Sequence, residues 1–150
     1  MSAIIRSLRG DLRALRTLQA PEQVQWDARA QNWRVSSAAF KPQSDGSISV
    51  DLEEIQLREG LPINSDYPRV ARAVGLVAHR IERLRADGFD VVHVPLPDNV
   101  CHGEARGTPT QGIRKRLASE CEIIIAIDGD DAQRLKLENE ARKARAALEG

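Results

Sequence analysis

The apolar positions of this chain change period along its length, and the changes mark out its elements. Over residues 3–19, Ile4, Ile5, Leu8, Leu12 and Leu15 recur at helical spacing, with Arg6, Arg9, Arg13 and Arg16 on a neighbouring face. The spacing predicts a helix. Ala20-Pro21-Glu22 breaks it, and Pro21 at a first helical position starts a short helix carrying Val24, Trp26 and Ala30. Trp33 leads into a strand. In the next one Ile48, Val50 and Leu52 alternate with Ser49, Asp51 and Glu53, which is period two. Residues 33–41 and 47–57 therefore read as a hairpin about the Asp45-Gly46 turn. Gly60, Pro62, Asn64 and Asp66 punctuate a loop over 58–66.

The period returns to helical in 67–87, where Val70, Val74, Val77, Ile81 and Leu84 step by four and three. Asp66 is the expected cap, Pro68 sits in the first turn, and His79 falls on the exposed side. Gly88 supplies a left-handed stop and Phe89 the apolar contact behind it. Residues 89–96 and 122–128 are apolar on both faces, which marks central strands. Between them, Thr108 caps a helix whose Ile113, Leu117 and Cys121 face inward. A helical crossover between two strands of one sheet makes them parallel. The last helix, 131–149, is heavily charged, and Leu137, Ala141, Ala144 and Leu148 give it only a thin stripe.

The expected fold is α/β or α+β. A mixed sheet of four to five strands carries an N-terminal hairpin, with helices packed against it. Residues 1–150 read as one domain, with helices 3–19 and 131–149 peripheral to it.

Composition narrows the function classes. Lys plus Arg and Asp plus Glu both number 22, and aromatics are 3% of the chain. Neutral charge and few stacking rings argue against a dedicated nucleic-acid binder. Trp26 and Trp33 can line a pocket, but in so aromatic-poor a chain the plainer reading is core anchors. No apolar run approaches the ~20 residues of a membrane helix, and the start lacks an apolar signal core, so the expectation is a cytoplasmic protein with reduced thiols.

Candidate chemistry gathers in Pro95-Leu-Pro-Asp-Asn-Val-Cys-His-Gly-Glu-Ala-Arg-Gly107, which leaves a strand where open α/β sheets place ligands. His102 and Glu104 alternate and point the same way, with Cys101 opposite. A His–Glu pair can move a proton, Asp98 or Asn99 can orient it, and Arg106 can hold an anion. The structural reading of the same residues is equally coherent. Asp98 and Asn99 are turn formers, His102 bridges backbone groups, and Glu104–Arg106 is a surface ion pair. His93 on its apolar strand reads first as a hydrogen-bonded structural residue. A zinc site from Cys101, His102, Cys121 and His93 lacks the usual ligand spacing. Asp128, Asp130 and Asp131 suit Mg²⁺, but one of them must cap the last helix, which accounts for Asp130 without a metal. Glu53-Glu54 reads as a solvated strand end rather than a cation site. Gly107-Thr-Pro-Thr-Gln-Gly112 lacks the Lys and Ser or Thr of a phosphate loop.

The segment Pro95-Leu-Pro-Asp-Asn-x-x-His102, followed by Gly107, resembles one found in small uncharacterised bacterial proteins, with looser similarity back through Ser47-Ile-Ser-Val-Asp51 and a span of 33–128. The resemblance implies no activity. The function read from the sequence is an interaction or regulatory module of a bacterial multi-protein system, of the defence or toxin-neutralising kind. Arg9 and Arg13 join Asp98, Asn99, His102 and Arg106 as binding candidates. Another protein is the expected partner, with an anionic ligand and self-association as further options and no cofactor. One alternative is a small hydrolase or transferase, with His102 as base and Asp98 or Glu104 beside it. A second is a metal-binding protein.

Overall fold

A six-stranded sheet, in the order β6-β7-β4-β1-β5-β8, organises the protein. The computed structural model describes residues 8–64, 67 and 70–149. The strands are β1 (Arg13–Gln19), β4 (Ser47–Leu52), β5 (Ala73–Arg80), β6 (Asp90–His93), β7 (His102–Arg106) and β8 (Glu122–Ile125). Two further strands, β2 (Val24–Asp27) and β3 (Asn32–Val35), form a separate hairpin. The helices are α1 (Glu53–Arg58), α2 (Ile81–Ala86), α3 (Gln111–Glu120) and α4 (Gly129–Glu149), with a 3-10 turn at Ser37–Phe40. The class is α+β. Every ladder between named strands is antiparallel, and the sheet is larger than the pattern predicts.

The largest differences from expectation lie at the centre of the sheet. Residues 13–19, expected in a helix, are strand β1; residues 3–7 lie outside the described residues. A strand covered on both sides carries apolar residues on both, so its period-two signal disappears. Ala14 and Leu18 join the large core, while Leu15 packs with Leu76 and Ala78 on the opposite face. The same effect hides β5 inside the expected helix 67–87. There the β1–β5 register passes from Leu18↔Gly75 to Gln19↔Ala73 and leaves Val74 bulged. Val74 and Val77 consequently share one core and imitate a helical step. Only Ile81–Ala86 is helical in that stretch; the expected cap Asp66 and Pro68 lie outside the described residues.

The expected helix after Pro21 is the hairpin strand β2. Trp33 belongs to β3, which pairs with β2 rather than with 47–57. The Asp45-Gly46 turn is present: Gly46 has φ 81°, and Asp45 Oδ1 accepts from Ser47 N at 3.0 Å. It feeds β4 into the middle of the sheet instead of closing a hairpin. The two strands read as central and parallel, 89–96 and 122–128, contribute β6 and β8, the two edges.

Several helix ends follow the sequence signals. Gly88 adopts φ 94°, and Phe89 N donates to Leu84 O at 3.0 Å, closing α2. The cap of α3 is Thr110, whose Oγ1 accepts from Ile113 N at 3.2 Å, rather than Thr108. Leu117 of α3 is fully buried. Asp128 caps α4, its Oδ1 accepting from Asp131 N at 3.1 Å, rather than the expected Asp130, which lies inside the first turn.

One face of the sheet carries the main core, with Leu18, Ile48, Val50, Leu52, Val77 and Ala105 packed with Leu84, Phe89 and Leu117. The other holds the smaller Leu15–Leu76–Ala78 cluster and a polar row beside it. No helix among the described residues is long and apolar enough to cross a membrane.

Candidate functional site

The stretch singled out in the sequence is the β6–β7 hairpin and its connection. Leu96-Pro97-Asp98-Asn99 is a four-residue turn: Asn99 N donates to Leu96 O and Leu96 N to Asn99 O, both at 3.0 Å. Pro97 presets the first corner of that turn, and Asp98 stands exposed at the second. Asn99 is buried and uses both ends of its amide. Nδ2 donates to Asp51 Oδ1 at 2.7 Å, and Oδ1 accepts from Cys101 N at 3.1 Å.

The two histidines brace the same connection. His93 Nε2 bonds Val100 O at 2.8 Å, and His102 Nδ1 bonds Val94 O at 2.8 Å. A carbonyl only accepts, so these nitrogens carry the protons. His93 lies opposite Gly103 in the β6–β7 register, one position from the row that holds His102. The two rings therefore occupy opposite faces of the sheet. His93 Nδ1 is buried with no hydrogen-bond partner among the described residues.

His102, Glu104 and Arg106 share a face, as their alternation predicts, while Cys101 is buried in the main core. Across β4 they face Asp51, Ser49 and Ser47 respectively. Arg106 Nε donates to Glu104 Oε1 at 2.9 Å, so the anion-holding candidate is occupied by its own neighbour. His102 Nε2 is the one ring atom of this row left for proton transfer. Among the described residues, however, none of the three best-formed cavities is lined by His102, Glu104 or Asp98. Nor are three of His, Cys, Asp and Glu grouped so as to hold a metal ion.

The arginine stripe does not exist as a surface, because strand geometry sends Arg13 and Arg16 to opposite faces. Arg9 Nη2 pairs with Asp11 at 2.7 Å, and its backbone N donates to Glu54 Oε1 at 2.7 Å. Arg13 forks onto Glu53, with Nη2–Oε2 at 2.5 Å, and its Nη1 reaches Glu122 at 2.6 Å. The Glu53 hydrogen bonds raise the Arg13 guanidinium above its ordinary value. Glu53-Glu54, expected as a solvated strand end, is buried at the start of α1 and anchors the N-terminal segment. Arg16 turns into the core and donates to Ala39 O at 3.1 Å and Ser49 O at 2.9 Å, and burial pulls its guanidinium down. His79, expected on an exposed helix face, is buried on β5. Its Nε2 bonds Leu117 O at 2.8 Å, and burial lowers its pKa.

The prominent cavity lies elsewhere. A groove of about 1120 Å³ runs between the β2–β3 hairpin, α3 and β8. Trp26 and Trp33, opposite one another in the hairpin register, meet edge to face with ring centroids 5.8 Å apart. Trp26 is 44% exposed, which places it at the groove rather than in the core. Arg34, Lys115 and Arg116 also line the groove, and among the described residues no Asp or Glu does, although Asp130 lines an adjoining depression against the same tryptophans. Burial raises the Cys121 thiol there, so it is not a ready nucleophile. The only local signal for this groove was the close spacing of two tryptophans; the opposite wall is some 80 residues away in sequence.

Comparison with family models, curated proteins and solved structures finds no match for this chain.

Proposed function

We propose that the protein is a non-catalytic interaction module that assembles through α4. The observation behind this reading is that α4 runs for 21 residues yet buries only Ala132. Its length is about 30 Å, and everything from Glu140 to Glu149 is exposed, Leu148 at 90%.

The helix has two distinct faces. Ala132, Leu135 and Asn139 turn toward the domain. Leu137, Ala141, Ala144 and Leu148 step by four, three and four along the other side. Leu137 is two positions from both Leu135 and Asn139, about 200° around the helix, so its stripe faces away from the domain. This is the narrow seam of a helix pair, with alanines at its middle that let two backbones approach.

Charge order favours a second copy as the occupant, lying antiparallel. Residues 129–140 carry four acids (Asp130, Asp131, Glu138, Glu140) against two bases, and 141–149 carry three bases (Arg142, Lys143, Arg145) against one acid. Setting Leu137 against the second copy's Leu148 brings Ala141 to Ala144, Glu138 beside Arg145 and Glu140 beside Lys143. A parallel pair would lay acidic half against acidic half and basic half against basic half, with Glu140–Arg145 as its one favourable flanking contact. The wider role, as part of a bacterial multi-protein system, is supported by the neutral charge and by the thinly apolar, lightly packed last helix.

Light scattering and sedimentation across a concentration series test the reading. Two helices of this length sit at the low end of stable interface size, so a dimer of roughly micromolar or weaker affinity is expected. Glu138→Lys with Glu140→Lys weakens it, and adding Lys143→Glu with Arg145→Glu restores it. A monomer at every concentration up to about 1 mM, the weak end of specific association, overturns the proposal.

A further inference from the structure

We propose that the groove beside the hairpin binds a nucleobase carried on a phosphate, as in a free nucleotide. The inference is independent of pairing through α4 and rests on two features.

The first is a preset aromatic wall. Trp33 is pinned at the start of α4, where a Cβ on Gly129 would come within 3.2 Å of Trp33 Cδ1. Trp26 stands edge-on against Trp33 and keeps nearly half its surface open. A planar ring has an apolar platform to stack on, with little side-chain ordering left to lose.

The second is the sign of the opposite wall. Arg116 of α3 is held by Asp87 at 3.2 Å and so is positioned, with that carboxylate outside the lining. Lys115 has no ion pair among the described residues. In a chain of zero net charge this is a local cationic site with one ammonium left for an anion.

Aromatic platform and unpaired cation together match a nucleobase joined to a phosphate, and either part alone would leave one wall unused. Neutral overall charge favours a free nucleotide over a nucleic-acid strand. The groove is large enough for such a ligand, since small-molecule sites span roughly 300–1,000 Å³.

Trp26 and Trp33 are the two tryptophans of the chain, so intrinsic fluorescence excited at the red edge of the indole band reports on this groove. The full chain is titrated with adenosine, guanosine, cytidine and uridine monophosphates, with calorimetry as a second readout. Saturable quenching by at least one is expected. Adenosine or its counterpart without phosphate, and ribose 5-phosphate without base, should each bind at least about tenfold more weakly. Lys115→Glu and Trp26→Leu, both at exposed positions, should each weaken binding by a similar factor with the fold intact by circular dichroism. No saturation by any monophosphate up to about 1 mM overturns the proposal. So does equal binding of nucleoside and nucleotide, or indifference to Lys115→Glu. A short single strand that binds when no mononucleotide does also refutes the free-nucleotide form and assigns the same chemistry to a strand.

Discussion

Asn99 is the point at which the β6–β7 connection is tied to the middle of the sheet, and replacing it separates structural from chemical roles in the segment. Asn99→Ala removes the Nδ2 bond to the Asp51 carboxylate, 2.7 Å long, and the 3.1 Å bond accepted from Cys101 N. A hydrogen bond to a charged group contributes about 1.5–3 kcal/mol, and an orphaned buried N–H costs about 1–3 kcal/mol. With partial relaxation the loss is about 3 kcal/mol, a drop of roughly 6–12 °C in Tm for a domain of this size. Asn99→Asp keeps an acceptor for Cys101 N but sets a second carboxylate against Asp51. Two facing carboxylates hold a proton that the unfolded chain releases near pH 4. The folded pKa of the pair is thus raised, and stability falls as pH rises from about 4 through that raised value. Asn99→Asp should therefore be closer to wild type at pH 5 than at pH 7.5, while the Asn99→Ala loss should change little between them. Urea unfolding followed by tryptophan fluorescence at both pH values measures this. If both variants stay within about 0.5 kcal/mol of wild type, Asn99 is not a structural tie, and the whole segment returns to consideration as a ligand site.

Three other outcomes follow from the packing. Gly103→Ala would place Cβ 2.7 Å from Leu52 Cδ1 and 2.8 Å from Val92 O, so a loss of about 3 kcal/mol or more is expected by chemical denaturation. His79 is held neutral by burial, with its pKa below the ordinary 6.5. Stability it contributes is complete above that value and is lost as pH falls toward the lowered one, and His79→Gln should flatten this dependence in urea midpoints measured from pH 7.5 to 5.5. Arg13→Met strips the half-buried Glu53 fork and should cost about 2–4 kcal/mol by thermal melts, with little dependence on salt; a loss abolished by high salt would mean the pair is effectively exposed.

Legibility in the sequence followed burial geometry. The wet-faced strand β4, the Asp45-Gly46 turn, the Gly88 stop and the charged last helix were readable because each depends on neighbours in sequence. The central strands β1 and β5 were not, since burial on both faces and a bulge at Val74 erased alternation and imitated helical steps. Trp26 and Trp33 misled in the other direction: a hairpin standing off the main sheet needs aromatic contacts across its own two strands, so one of them remains exposed. In the 95–107 segment, the shared face of His102, Glu104 and Arg106 was predictable from period two alone. Their surroundings were not, because the facing Asp51 and the Asn99 amide bond to it arise from contacts made across strands. The arginine stripe failed for the same reason, Arg13 meeting Glu53 from 40 residues away.

The position of Cys101 gives the clasped connection a clock. Its thiol is fully buried directly after the Asn99 turn, while Cys121 is only half-buried in the groove wall. A small alkylating reagent under native conditions meets Cys121 first, and reaches Cys101 only when the turn lets go of the sheet. The ratio of the two rates reads how often this corner opens while the rest of the sheet stays folded.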